Sequence, residues 1–155
     1  MARFRIREDA RKWFKNISGT APFSVEFDQY YLCLMAGFAS GRTHDSGATD
    51  ELVESFVDEY KAASRFLVGL LITAELKKNG INVEERDSVR ALFQVLVDPQ
   101  SPNQMTTEGM RRMNAYANGG YEYLAEQRDA KPSSSDEFLR DYVQLIEHAV
   151  ENQIT

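Results

Sequence analysis

Four carboxylates in this chain have a spacing that could hold a metal. Glu51-x-x-Glu54 and Glu84-x-x-Asp87 each set two acids three residues apart. Residues i and i+3 share a face of a helix, so on helices each pair would offer two oxygen ligands to one Mg²⁺. The same reading also counts against a shared site. Glu51 and Glu84 fall at helix starts, where the helix dipole favours acids in any case. If the two helices are antiparallel, those starts lie about 40 Å apart, from a rise of about 1.5 Å per residue over about 25 residues. Other catalytic groups are sparse. His44 and His148 are the two histidines, and catalysis by histidine needs a second group within hydrogen-bond reach. The pair His44-Asp45 lacks the further histidine and aspartate ligands that a metal-dependent hydrolase needs. Cys33, the one cysteine, sits among Leu32, Leu34 and Met35 and reads as a buried, inert thiol. A lone cysteine also excludes an intramolecular disulfide and a cysteine-based zinc site. No Gly-Lys-Ser/Thr phosphate cradle is present. The expectation is a protein without a catalytic site, metal or cofactor.

Two other features suit binding. Residues 1–16 hold Arg3, Arg5, Arg7, Arg11, Lys12 and Lys15 against Glu8 and Asp9, a balance of +4 within a chain of net charge −6. Such an arm could contact phosphates or an acidic partner, whereas the acidic remainder is repelled by nucleic acid and membrane surfaces. The second feature is Asn118-Gly119-Gly120, which interrupts flanks that both read as helix. Glycine inside a helix costs about 1 kcal/mol relative to alanine. Either the helix ends and restarts there, or a neighbouring backbone packs against the missing side chains. Tyr116, Tyr121 and Tyr123 flank the motif, and Tyr116 and Tyr123 share a helix face. The motif is expected to seat the helix of residues 27–41 or to form part of a protein-binding face, because tyrosine buries apolar area while keeping a hydroxyl.

The elements that must position these groups are helices. The chain has 155 residues, 43% apolar and 27% charged, enough for one all-α domain with its own core. Ala10, Trp13, Phe14 and Ile17 mark a first helix over about 8–17, broken by Ser18-Gly19-Thr20-Ala21-Pro22. Ser24 opens an apolar second helix, closed by the loop 41–47. A third segment is expected from Thr49 or Asp50 to Lys78, broken at most once. Asn82 and Glu85 form a capping box for a fourth helix that ends before Pro99. A fifth starts near Thr106, and Ser134 with Glu137 caps a last one. Five to seven helices follow, with Cys33, Leu34, Phe66, Leu67 and Leu70 expected in the core. The N-terminal residues carry charges where a secretory signal would be apolar, and the run from Phe66 to Ala74 is about half a bilayer crossing. A reduced, cytosolic, soluble protein is expected.

Two resemblances suggest functions. The paired carboxylates resemble the Mg²⁺ site of all-α nucleoside triphosphate pyrophosphatases of the MazG type, although the 29 residues between the pairs sit at the outer edge of that family's spacing. Phe27–Arg42, an apolar helix ending in Gly-Arg, and Ala115–Gln127, containing Ala117-Asn118-Gly119-Gly120, together resemble small helical proteins associated with bacterial DNA phosphorothioation (Dnd) systems. That resemblance implies a non-enzymatic accessory subunit of an anti-phage modification or restriction system, bound to a larger defence protein. It carries over no catalytic residues. A DNA-contacting adaptor using the basic arm and a pyrophosphatase using the carboxylates are the alternatives.

Overall fold

The periodic segments form helices, and two short strands join the loops between them. The computed structural model describes residues 2–20, 23–45 and 47–153 and the backbone of Ile154. The helices are α1 (Glu8–Trp13), α2 (Glu26–Ser40), α3 (Ser64–Lys78), α4 (Arg86–Leu96), α5 (Thr107–Gln127) and α6 (Ser135–Ile154). Strands β1 (Arg5–Arg7) and β2 (Thr49–Glu51) pair antiparallel with Ile6 opposite Asp50, and a 3-10 segment, Asp58–Ala63, leads into α3. The fold is all-α, with six helices among the described residues. None of these helices is long and apolar enough to cross a membrane. Ala21 and Pro22 of the expected first break, and Ser46 of the second, lie outside the described residues.

Contacts divide the chain into two compact units, each built from two separate stretches. The first comprises Met1–Phe4 and Val53–Met113, the second Arg5–Leu52 and Asn114–Thr155. In the first unit α3 packs on α4, burying Leu67, Val68, Leu71, Leu92 and Leu96. Phe4 meets Phe56 edge-on at 4.9 Å. Asn103 fastens the ends of this unit. Its Nδ2 donates to the carbonyls of Ala2 (3.2 Å) and Glu54 (3.0 Å), while its Oδ1 accepts from Ser101 Oγ and the Met105 N–H. A buried amide with this many partners costs little to desolvate. Buried Glu75 takes Arg112 at 2.7 Å, which satisfies a charge that could not be left alone.

In the second unit α2 lies against α6, and Trp13, Phe14 and Phe138 form an edge-to-face aromatic cluster with centroids 4.9–5.7 Å apart. Asn114 Oδ1 accepts from the Arg5 N–H and from Tyr30 Oη, and Tyr142 Oη donates to the Leu32 carbonyl at 2.7 Å.

Three expectations need correction. The third helix does not begin near Thr49. The acids there sit in β2 and the bend after it, with Arg11 on Asp50 and Arg5 on Thr49, and α3 starts at Ser64. Phe66 is 61% exposed and Leu70 only half-buried. The run Phe66–Ala74 is apolar on every face, so composition did not fix which stripe turns inward. Of the two alternatives for Asn118-Gly119-Gly120, the close approach of a neighbouring backbone holds, and α5 runs unbroken through the motif. The first helix is also shorter than expected, ending at Trp13 and continuing as turns to Ile17, whose N–H reaches the Phe14 carbonyl.

Candidate functional site

The glycines of α5 sit where helices meet most closely. A Cβ added to Gly120 would lie 1.7 Å from the Cys33 carbonyl oxygen and 2.5 Å from the Gly37 nitrogen. One added to Gly37 of α2 would lie 2.0 Å from the Tyr116 carbonyl oxygen. The two helices therefore cross backbone on backbone, with a glycine from each at the crossing. Gly119 faces the chain just after α2, where its Cβ would fall 2.3 Å from the Arg42 carbonyl oxygen. Asn118 holds the same stretch by donating from Nδ2 to the His44 carbonyl at 3.2 Å. Tyr116, Tyr121 and Tyr123 are all buried, and Tyr123 Oη donates to the Leu145 carbonyl. Burial raises the pKa of Tyr121 and of Tyr123.

The basic arm is spent largely within the protein. Arg3 pairs with Glu54 at 3.8 Å, Arg5 with Glu51 at 3.5 Å, and Arg7 with Asp9 at 2.7 Å and Glu122 at 3.3 Å. Arg11 bridges Glu26 and Asp50 at 2.7 and 2.9 Å. Lys12 and Lys15 are exposed. The arm itself is strand and helix, with Phe4, Ile6, Ala10, Trp13 and Phe14 all buried.

Glu51 and Glu54 are not on a helix, so they share no helix face. Glu51 ends β2, and Glu54 follows in the bend. Glu84 precedes α4 and donates its N–H to Asn82 Oδ1, while Asp87 lies in the first turn of that helix. Among the described residues no group of three or more His, Cys, Asp or Glu is arranged to hold a metal ion. His44 Nδ1 lies 3.2 Å from Glu122 Oε1, and His148 Nε2 lies 3.2 Å from Asn152 Nδ2. Cys33 is buried, and burial raises its thiol pKa well above the ordinary range.

An open apolar groove occurs in the first unit, between α3 and α4. It encloses about 540 Å³ and is lined by Val68, Gly69, Ile72, Phe93, Val97 and Pro99, with Arg65 and Gln104 at its polar edge. Gln104 holds a left-handed backbone (φ 66°), unusual for a residue other than glycine, and donates from Nε2 to Ser64 Oγ. Phe93 is 45% exposed, and Phe66, three residues before Gly69 on α3, is exposed as well.

No family model, curated protein or solved structure matches this chain.

Reasoning from sequence missed the groove and picked the glycine motif. The signal for the groove was present in Gly69, a glycine in the middle of an apolar helical run. The apolar run hides it, because Phe66 and Leu70 read as core in a segment that is apolar on every face.

Proposed function

We propose that this chain is a non-enzymatic accessory subunit that works by binding a larger protein in the bacterial cytoplasm. The observation that carries the reading is the apolar groove between α3 and α4, with Phe93 exposed in its lining and Phe66 exposed on α3, three residues before Gly69 of that lining. Large apolar side chains grouped on a surface mark interaction sites more often than scattered ones do. The assignment to an anti-phage system of the phosphorothioation type rests on the resemblance of Phe27–Arg42 and Ala115–Gln127. Arginines already engaged by carboxylates favour protein contact over DNA contact for the basic arm.

The test is co-purification of the tagged full chain from a bacterium carrying phosphorothioation genes. A stoichiometric defence protein is expected, together with loss of phage resistance when the gene is deleted. A chain recovered alone, with resistance intact, would refute the proposal. Recovery of DNA in place of protein, with retention falling steeply with salt, would favour the DNA adaptor. Mg²⁺-dependent release of pyrophosphate from a nucleotide would favour the hydrolase.

A further inference from the structure

Five glycines lie inside α-helices: Gly37, Gly69, Gly109, Gly119 and Gly120. Four are pressed against backbone, since a Cβ at any of them would fall within 2.3 Å of a carbonyl oxygen. Gly109, for example, would meet the Leu96 oxygen at 2.1 Å. Gly69 differs, with nothing within 4 Å of the place its Cβ would take. Glycine within a helix is unfavourable relative to alanine. At the other four positions close packing returns that loss; at Gly69 nothing in the described chain does.

Gly69 forms part of the floor of the groove between α3 and α4. Phe66, one turn earlier on the same face, is not among the residues lining the groove, yet it is exposed. The apolar surface therefore extends beyond the cavity, along α3, as an elongated ligand requires. Its charge is one-sided. Arg65 is the one charged side chain lining the groove, and no hydrogen bond or ion pair engages it among the described residues. Arg3, Arg111 and Arg112 of the same unit hold carboxylates, and of the arginines there whose side chains have no partner among the described residues (Arg65, Arg86 and Arg90) only Arg65 lines the groove.

We infer that this groove seats an amphipathic helix of the partner protein, crossing α3 at Gly69 and presenting a carboxylate to Arg65. The inference rests on the accessory-subunit reading and names the partner's contact surface. Gly69 would then do between chains what Gly37 and Gly120 do within the second unit, letting two helix backbones approach. The apolar stripe of the incoming helix covers Phe66 and Phe93, and its acid meets an arginine fork suited to carboxylate geometry.

The test uses the full chain in the host where it co-purifies with its partner. Benzoylphenylalanine replaces Phe66, with exposed Val143 of α6 as the control position. Irradiation should give an adduct at position 66 and not at 143. The attachment point should lie in a partner helix with an Asp or Glu within one turn. Gly69→Leu, filling open space, should leave the melting temperature undiminished while cutting partner recovery at least tenfold. Gly69→Ala should do the same more mildly. Arg65→Glu should lose a similar factor and regain it when the mapped partner acid becomes Lys. Equal crosslinking at both positions, attachment to a strand or to a second copy of this chain, or full recovery by both Gly69→Leu and Arg65→Glu would overturn the inference. Full recovery by these variants leaves the accessory reading intact. Absence of any co-purifying protein, seen before irradiation, defeats that reading and this one with it.

Discussion

Replacing Gly120 with alanine sets helix propensity against packing, and the structure says which wins. In a helix interior the added methyl is favourable by about 1 kcal/mol. At this position, however, the new Cβ would lie 1.7 Å from the Cys33 carbonyl oxygen, whereas an ordinary contact is 3.4 Å or more. Relief requires α2 and α5 to part by roughly 1.5 Å, enough to forfeit much of the dispersion attraction along their crossing. Overpacking of this kind typically costs about 1–3 kcal/mol, and more where the obstacle is backbone rather than a side chain that can turn aside. The net expectation is a loss of about 2 kcal/mol or more, equivalent to a fall of about 4–8 °C in melting temperature for a chain of this size. Gly69→Ala supplies the opposite case, because nothing lies within 4 Å of its Cβ. It should gain up to about 1 kcal/mol. Urea unfolding followed by circular dichroism, supported by calorimetry, measures both. If Gly120→Ala is as stable as the parent, or both variants lose equally, the reasoning from glycine contacts is wrong.

Two further outcomes are expected. The Cys33 thiol, buried and raised in pKa by that burial, should resist Ellman's reagent at mildly alkaline pH and react fully once guanidinium unfolds the chain; prompt reaction of the native protein would contradict its placement. Glu108 is held down to about 2, first by its hydrogen bond from Arg111 and then by that from Arg112. Its folded pKa lies below the unfolded value, so its contribution is present above about pH 4.3 and is lost as pH falls toward 2. Glu108→Gln should therefore flatten the acid limb of a stability–pH curve, and an unchanged limb would refute the assignment.

Helices with a clear boundary chemistry were legible before any coordinates. Ser134 does accept the Glu137 N–H at the start of α6, and Glu85 does reach back to the Asn82 N–H ahead of α4. In the second case Asn82 Oδ1 takes the Glu84 N–H instead of the Glu85 one, and the helix begins at Arg86, three residues later than a complete capping box would place it. What stayed hidden depended on distant partners. Three residues of β2 are too few to show alternation, and Thr49-Asp50-Glu51 has the acids of a helix start. Their pairing with Arg5–Arg7 is set across more than forty residues of chain. Likewise, Asn118-Gly119-Gly120 announced a close approach or a break, but the identity of the approaching backbone belongs to α2 and the chain after it. Asn103 Nδ2 and Asn114 Oδ1, which anchor each unit, reach partners 49 to 109 residues away, and nothing in the neighbouring sequence signals those contacts.

The interleaving of the two units has a consequence for synthesis on the ribosome. Every stretch of the first unit has been made once Met113 is added, whereas the second still lacks most of α5 and all of α6. Helix α2, translated early, buries eight residues in the finished protein, Tyr30, Cys33 and Leu34 among them. At roughly 5–20 residues per second, about 5–20 s separate its emergence from that of the helices that cover it. During that interval the nascent chain displays an apolar helix with no counterpart. For that interval α2 is a site that a chaperone at the exit tunnel could bind.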